Sequence, residues 1–78
     1  MYPAVTSVDV NEDFTLSLGF STGASGTLDM KPYLDFGVFR RLRDLDAFRT
    51  AHVAFDTVAW EGGIDLDPEF VYRKCKCA

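Results

Sequence analysis

Between Phe14 and Phe20 the chain alternates strictly. Phe14, Leu16, Leu18 and Phe20 interleave with Thr15, Ser17 and Gly19. A period of two marks a strand with one buried face and one wet face, and a helix cannot satisfy it. Such a strand needs neighbours, and the flanking residues supply them. Upstream, Ala4, Thr6, Val8 and Val10 alternate with Val5, Ser7 and Asp9, and Asn11-Glu12-Asp13 is a polar connection of hairpin length. Downstream, the stretch 21–26 holds two Gly and two Ser, a second hairpin loop, before Thr27-Leu28-Asp29-Met30 returns as a third strand. The first thirty residues therefore predict a three-stranded meander.

The middle of the chain changes period. Pro32 favours a first helical turn at Tyr33-Leu34-Asp35-Phe36, which Gly37 stops. Leu42, Leu45 and Phe48 then recur every three residues, and Asp44 is placed to cap a short helix over 45–50. The last third returns to strands. Val53 and Phe55 alternate with His52 and Ala54, Asp56-Thr57 reads as a two-residue turn into Val58-Ala59-Trp60, and Gly62-Gly63 permits a turn or bulge at positive φ. Ile64 and Leu66 flank Asp65 as a short strand. Asp67-Pro68 is an N-cap followed by Pro at the first helical position, with Glu69 in the first turn, and it predicts a closing helix over about 68–74. The order βββ-α-ββ(β)-α predicts a small α+β domain over 1–78, with a mostly antiparallel sheet and two or three short helices packed on it. Residues 75–78 are expected to fray.

A chain of 78 residues buries only roughly 60–65% of its unfolded surface, so its stability is marginal. Its 47% apolar and 14% aromatic content offsets this. An edge-to-edge or face-to-face homodimer would bury more. Met1-Tyr2-Pro3 lacks a basic leader, and no apolar run reaches membrane-spanning length. Cys75 and Cys77, two apart, form no disulfide framework and fit a reducing compartment. The expected location is the cytoplasm.

The net charge of −4 is distributed in blocks. Asp9, Glu12, Asp13 and Asp29 make the stretch 1–30 purely acidic. Lys31, Arg40, Arg41, Arg43 and Arg49 outweigh Asp35, Asp44 and Asp46 in 31–51. Asp56, Glu61, Asp65, Asp67 and Glu69 make 52–72 acidic again, and Arg73, Lys74 and Lys76 close the chain. An acidic total argues against sequence-independent nucleic-acid binding, which requires net neutralisation of phosphates.

Three stretches together resemble a bacterial family known as domain of unknown function 2442. They are Tyr2-Pro3-Ala4-Val5, Asp29-Met30-Lys31-Pro32-Tyr33-Leu34, and the run Val58 to Glu69. The most specific element is a Trp-x-x-Gly-x-Asp-Leu-x-Pro pattern, met by Trp60, Gly63, Asp65, Leu66 and Pro68. The resemblance implies a small prokaryotic α+β domain, alone or fused to a helix-turn-helix. It also implies a gene beside that of another small uncharacterised family, in an arrangement suggestive of a toxin–antitoxin pair. It implies no catalytic residue, and the Cys75-Lys76-Cys77 ending lies outside the pattern.

Candidate chemistry is sparse. Trp60, Gly63, Asp65 and Pro68 could line a binding site, but a core anchor, a turn and a helix start already account for three of them. Asp65 is the least explained. Glu61, Asp65, Asp67 and Glu69 lack cation-loop spacing and read as solvated acids. His52 lies in no nucleophile motif and reads as a surface residue. Cys75 and Cys77 supply two soft ligands where a structural zinc needs four, so neither metal nor cofactor is expected. Arg40, Arg41, Arg43 and Arg49 form the one basic patch, suited to a solvated face or to an acidic partner.

The leading expectation is a non-catalytic protein-interaction module, one half of a toxin–antitoxin-like pair, whose partner is the neighbouring gene's product or a second copy. The alternatives are a nucleic-acid-associated regulator using the arginine patch, and a small ligand-binding domain or enzyme centred on Trp60 and Asp65.

Overall fold

The computed structural model describes residues 3–77. Tyr2 of the family pattern and Ala78 of the tail lie outside them. The elements are β1 (Val5–Val10), β2 (Thr15–Phe20), β3 (Ser25–Asp29), α1 (Leu45–Phe48), β4 (His52–Ala54), β5 (Thr57–Trp60), β6 (Ile64–Asp65), α2 (Pro68–Lys74) and β7 (Lys76–Cys77). Two 3-10 segments, Lys31–Tyr33 and Gly37–Arg43, connect β3 to α1. The class is α+β, and every strand pair is antiparallel. The strands divide into two sheets instead of one, in the orders β1-β2-β3-β7 and β4-β5-β6.

The alternation that begins the sequence reading sets the core. Leu16, Leu18 and Phe20 point inward from β2 and are buried, as are Leu28 and Met30 at β3 and its end. On β1 the inward set changes phase. Val5 is buried at an odd position, whereas Val8 and Val10 pack on the core from even ones. A register shift between Val5 and Ser7 inserts the extra residue that makes this switch.

From Phe39 to Leu42 the spacing of three is the 3-10 period, in which residues i and i+3 eclipse, whereas Leu45 and Phe48 bound α1. Phe39, Leu42 and Leu45 share the inward side of this stretch, with Leu42 fully buried. Asp44 then caps α1, its Oδ1 accepting from the Asp46 N–H at 3.0 Å. Helix α2 begins as the sequence predicts, with Asp67 Oδ1 accepting from the Glu69 N–H at 2.8 Å and Pro68 inside the first turn.

Two segments are placed differently from the sequence pattern. Residues 75–77 sit against the fold. Cys75 is buried, its N–H donates to the Val71 carbonyl, and Lys76 and Cys77 pair with Thr27 and Gly26. Without β7, the outer backbone groups of β3 would form an open edge, and pairing them is favourable. The β4–β5 turn also sits one residue earlier than Asp56-Thr57. The register Ala54↔Thr57 leaves Phe55 and Asp56 as its central residues, at φ +51 and +65. Two positive φ values define a type I′ turn, which favours Asn and Gly and strains phenylalanine.

A third positive φ, +63, falls on Phe14. There the chain turns from Asn11 to Thr15, with the Phe14 N–H donating to the Asn11 carbonyl and the Asn11 N–H to the Thr15 carbonyl. The Thr15 hydroxyl fixes this turn by donating to Asp13 Oδ1 at 2.6 Å while accepting from Asn11 Nδ2 at 3.0 Å. That hydroxyl bond lowers the Asp13 pKa below the ordinary aspartate range. The Lys31 charge and the Thr15 backbone N–H add to the lowering, and partial desolvation opposes it.

Two outcomes follow from these turns. Phe55→Asn relieves left-handed strain at an exposed site and raises stability by about 1 kcal/mol, seen as a higher urea midpoint with an unchanged slope at a chain concentration low enough that self-association does not contribute. A lower midpoint contradicts it. Asp13, followed by NMR in acid, titrates below an ordinary aspartate, and Thr15→Val moves its midpoint upward. Because the folded-state pKa is the lower one, this carboxylate favours folding above its unfolded pKa and loses that contribution as pH falls through the folded value. An unmoved midpoint in Thr15→Val would assign the shift to another cause.

Candidate functional site

Trp60 is 2% exposed and belongs to the core. Its indole Nε1 donates to the Phe48 carbonyl at 3.0 Å, and its ring lies 6.1 Å from the Phe48 ring. The pairs Trp60↔Ile64 and Ala59↔Asp65 put Trp60 and Ile64 on the inner face of the three-stranded sheet. Asp65 is exposed on the outer face. Successive strand residues point to opposite sides, so the two residues most suited to a shared ligand site are held apart. Gly62 and Gly63, at φ +94 and +82, make the turn that brings β6 back along β5. Thus the family motif builds a hairpin and a capped helix.

The arginines separate into two groups. Arg43 faces Asp35 at 3.6 Å, while Arg49 faces Glu12 at 3.2 Å and Asp46 at 3.8 Å. Each pair is exposed, so each contributes little to stability but neutralises charge locally. Arg40 and Arg41 join no salt bridge among the described residues. Arg41 reaches over the β5–β6 turn, its Nη1 3.8 Å from where a Cβ on Gly62 would lie. Beside these two cations, Phe36 is 65% and Val38 56% exposed. The segment 36–41 is therefore a mixed apolar and cationic surface on an acidic protein.

His52 is exposed, with Nδ1 2.9 Å from the Thr50 carbonyl oxygen. Among the described residues, no three His, Cys, Asp or Glu side chains cluster as a metal site. A cleft of about 420 Å³ opens at the β3 side, lined by Thr15, Thr27, Asp29, Pro32, Tyr33 and Lys74. It includes neither Trp60 nor Asp65. Among the described residues, no helix is long and apolar enough to cross a membrane.

Sequence reasoning located the arginines and missed their apolar companions. The period of three through Phe39, Leu42 and Leu45 leaves Val38 off the buried side, a signal that was legible. Phe55, 95% exposed at the β4–β5 tip, carried none. Its alternation with Val53 mimics a half-buried strand.

Among the described residues, seven short antiparallel strands, two short α-helices and a mixed apolar and cationic surface define a small α+β domain whose distinguishing site is a surface. The chain belongs to the family described as "Protein of unknown function (DUF2442)", whose model matches residues 5–76. No curated protein and no solved structure matches it.

Removing the indole donor tests the structural role of Trp60. Trp60→Phe removes one of the two donors to the Phe48 carbonyl, leaving the Ala51 N–H at 3.3 Å, and should cost about 0.5–1.5 kcal/mol in chemical denaturation. An unchanged midpoint would show that this hydrogen bond contributes nothing.

Proposed function

We propose that this protein is a non-catalytic protein-interaction module. The supporting observation is the exposure of Phe36, Val38 and Phe55 on a domain whose core is already filled by Leu16, Leu28, Met30, Leu42, Phe48 and Val58. Aromatic and arginine side chains are the groups most enriched at interface centres. Here Phe36 and Val38 are exposed in the same short segment of chain as Arg40 and Arg41, and Phe55 is exposed at the β4–β5 tip. A domain of this size has little apolar area to spare, so leaving such side chains outside fits a surface that becomes covered.

The arrangement favours protein over nucleic acid. Arg43 and Arg49 are committed to carboxylates, the net charge is −4, and a phosphate track needs several uncommitted cations. A ligand site centred on Trp60 and Asp65 is disfavoured by their separation across the sheet. A cytoplasmic setting accompanies this reading, on the cysteine usage. The two-gene arrangement implied by the family resemblance makes the neighbouring gene's product the first partner to try, as the other half of a toxin–antitoxin-like pair.

Co-expression with that product, followed by affinity purification of this chain, should recover both proteins together. Absence of a complex, together with no relief of any toxicity the neighbour shows, contradicts that pairing.

A further inference from the structure

Two surface features are left without a role by the fold. The first is the β4–β5 tip, where Phe55 stands 95% exposed at φ +51 beside the exposed Asp56. A left-handed phenylalanine is strained, and among the described residues no ring packs against this one. The Asp56 carboxylate joins no salt bridge among the described residues. The second feature is the segment 36–41, with exposed Phe36 and Val38 beside Arg40 and Arg41. Each supplies what the other lacks: an aromatic ring with a carboxylate, against an apolar pair with two guanidinium groups.

One chain cannot bring them together. Asp56 immediately precedes β5, whereas Arg41 lies over Gly62, just past the far end of the same strand. A strand of four residues spans about 13 Å. The two features therefore lie at opposite ends of β5, and a two-fold axis would let each meet its counterpart on a second copy.

We propose that the partner at this surface is a second copy of the chain. The Phe55–Asp56 tip of one protomer docks on the Phe36, Val38, Arg40 and Arg41 patch of the other, and a two-fold axis repeats the contact in reverse. This rests on the reading of the protein as an interaction module and identifies one of its partners. Charge complementarity selects the pairing. Two acidic domains of net charge −4 repel overall, and local contact between Asp56 and the uncommitted arginines offsets that repulsion where the surfaces meet. Size is compatible too. A standard interface takes about 800 Å² per partner, a modest fraction of the 4842 Å² this domain exposes.

Sedimentation equilibrium of the whole chain over a concentration series tests the proposal. The mass should rise from one 8.7 kDa chain toward two. Either Asp56→Arg or the double variant Arg40→Glu/Arg41→Glu should weaken association by about tenfold or more. Combining them in one chain should restore at least part of it, which a merely misfolded variant cannot do. Phe55→Asn should also weaken the dimer while leaving the monomer folded. A single-chain mass up to roughly 1 mM, an affinity of only about −4 kcal/mol, overturns the proposal. A dimer indifferent to these substitutions, or one the combined variant does not restore, overturns it equally. Recovery of a complex with the neighbouring gene's product despite a monomeric chain would leave the module reading standing and remove only the second copy.

Discussion

The Phe48 side chain is the joint on which this small fold depends. It is fully buried at the end of α1, and its ring lies 5.2 Å from Phe14, at the β1–β2 turn of the larger sheet. On its other side it meets Trp60 of the smaller sheet, ring against ring, and its own carbonyl accepts the indole N–H. One residue thus ties a turn, a helix and both sheets together. This accounts for the strain at Phe14, whose φ of +63 disfavours a bulky side chain. Offset aromatic contacts add about 0.5–1.5 kcal/mol beyond area burial, comparable with the cost of the left-handed backbone. Phe55 has the same backbone strain and, among the described residues, no ring contact to offset it.

Where local rules act alone, the sequence was legible. The alternation over Phe14–Phe20 located β2 and its inward set, and Asp67-Pro68-Glu69 located α2. Asp44 gave the start of α1. The readings that failed depended on non-local partners. Division into two sheets is invisible to a pattern of alternation, because the pattern reports which side is buried and not against what. The pairing of β7 with β3 joins residues some fifty positions apart and leaves no local trace. At the β4–β5 tip a one-residue shift was enough to exchange a supposed strand residue for an exposed aromatic.

The candidate site was half legible for a related reason. Charge can be counted along a chain, so the arginines were visible at once. Which of them are committed was not visible, because Arg49 meets Glu12 and Arg43 meets Asp35 only after folding. Conversely, Trp60 attracted a functional reading by its rarity, and folding placed it in the core with its polar atom satisfied. The surface that remains combines exposed aromatic rings with uncommitted cations. Such a combination suits association, and a fold with this little apolar area has reason to bury it against a partner.

The Phe48–Trp60 joint unites the two sheets, and hydrogen exchange of the Trp60 indole Nε1–H tests it most directly. If the joint holds both sheets, that proton exchanges only when the whole domain unfolds, so its exchange free energy equals the global stability from chemical denaturation. Exchange at a free energy near zero, while the amides of β2 stay protected, would mean that the smaller sheet opens by itself and that the joint does not unite the fold.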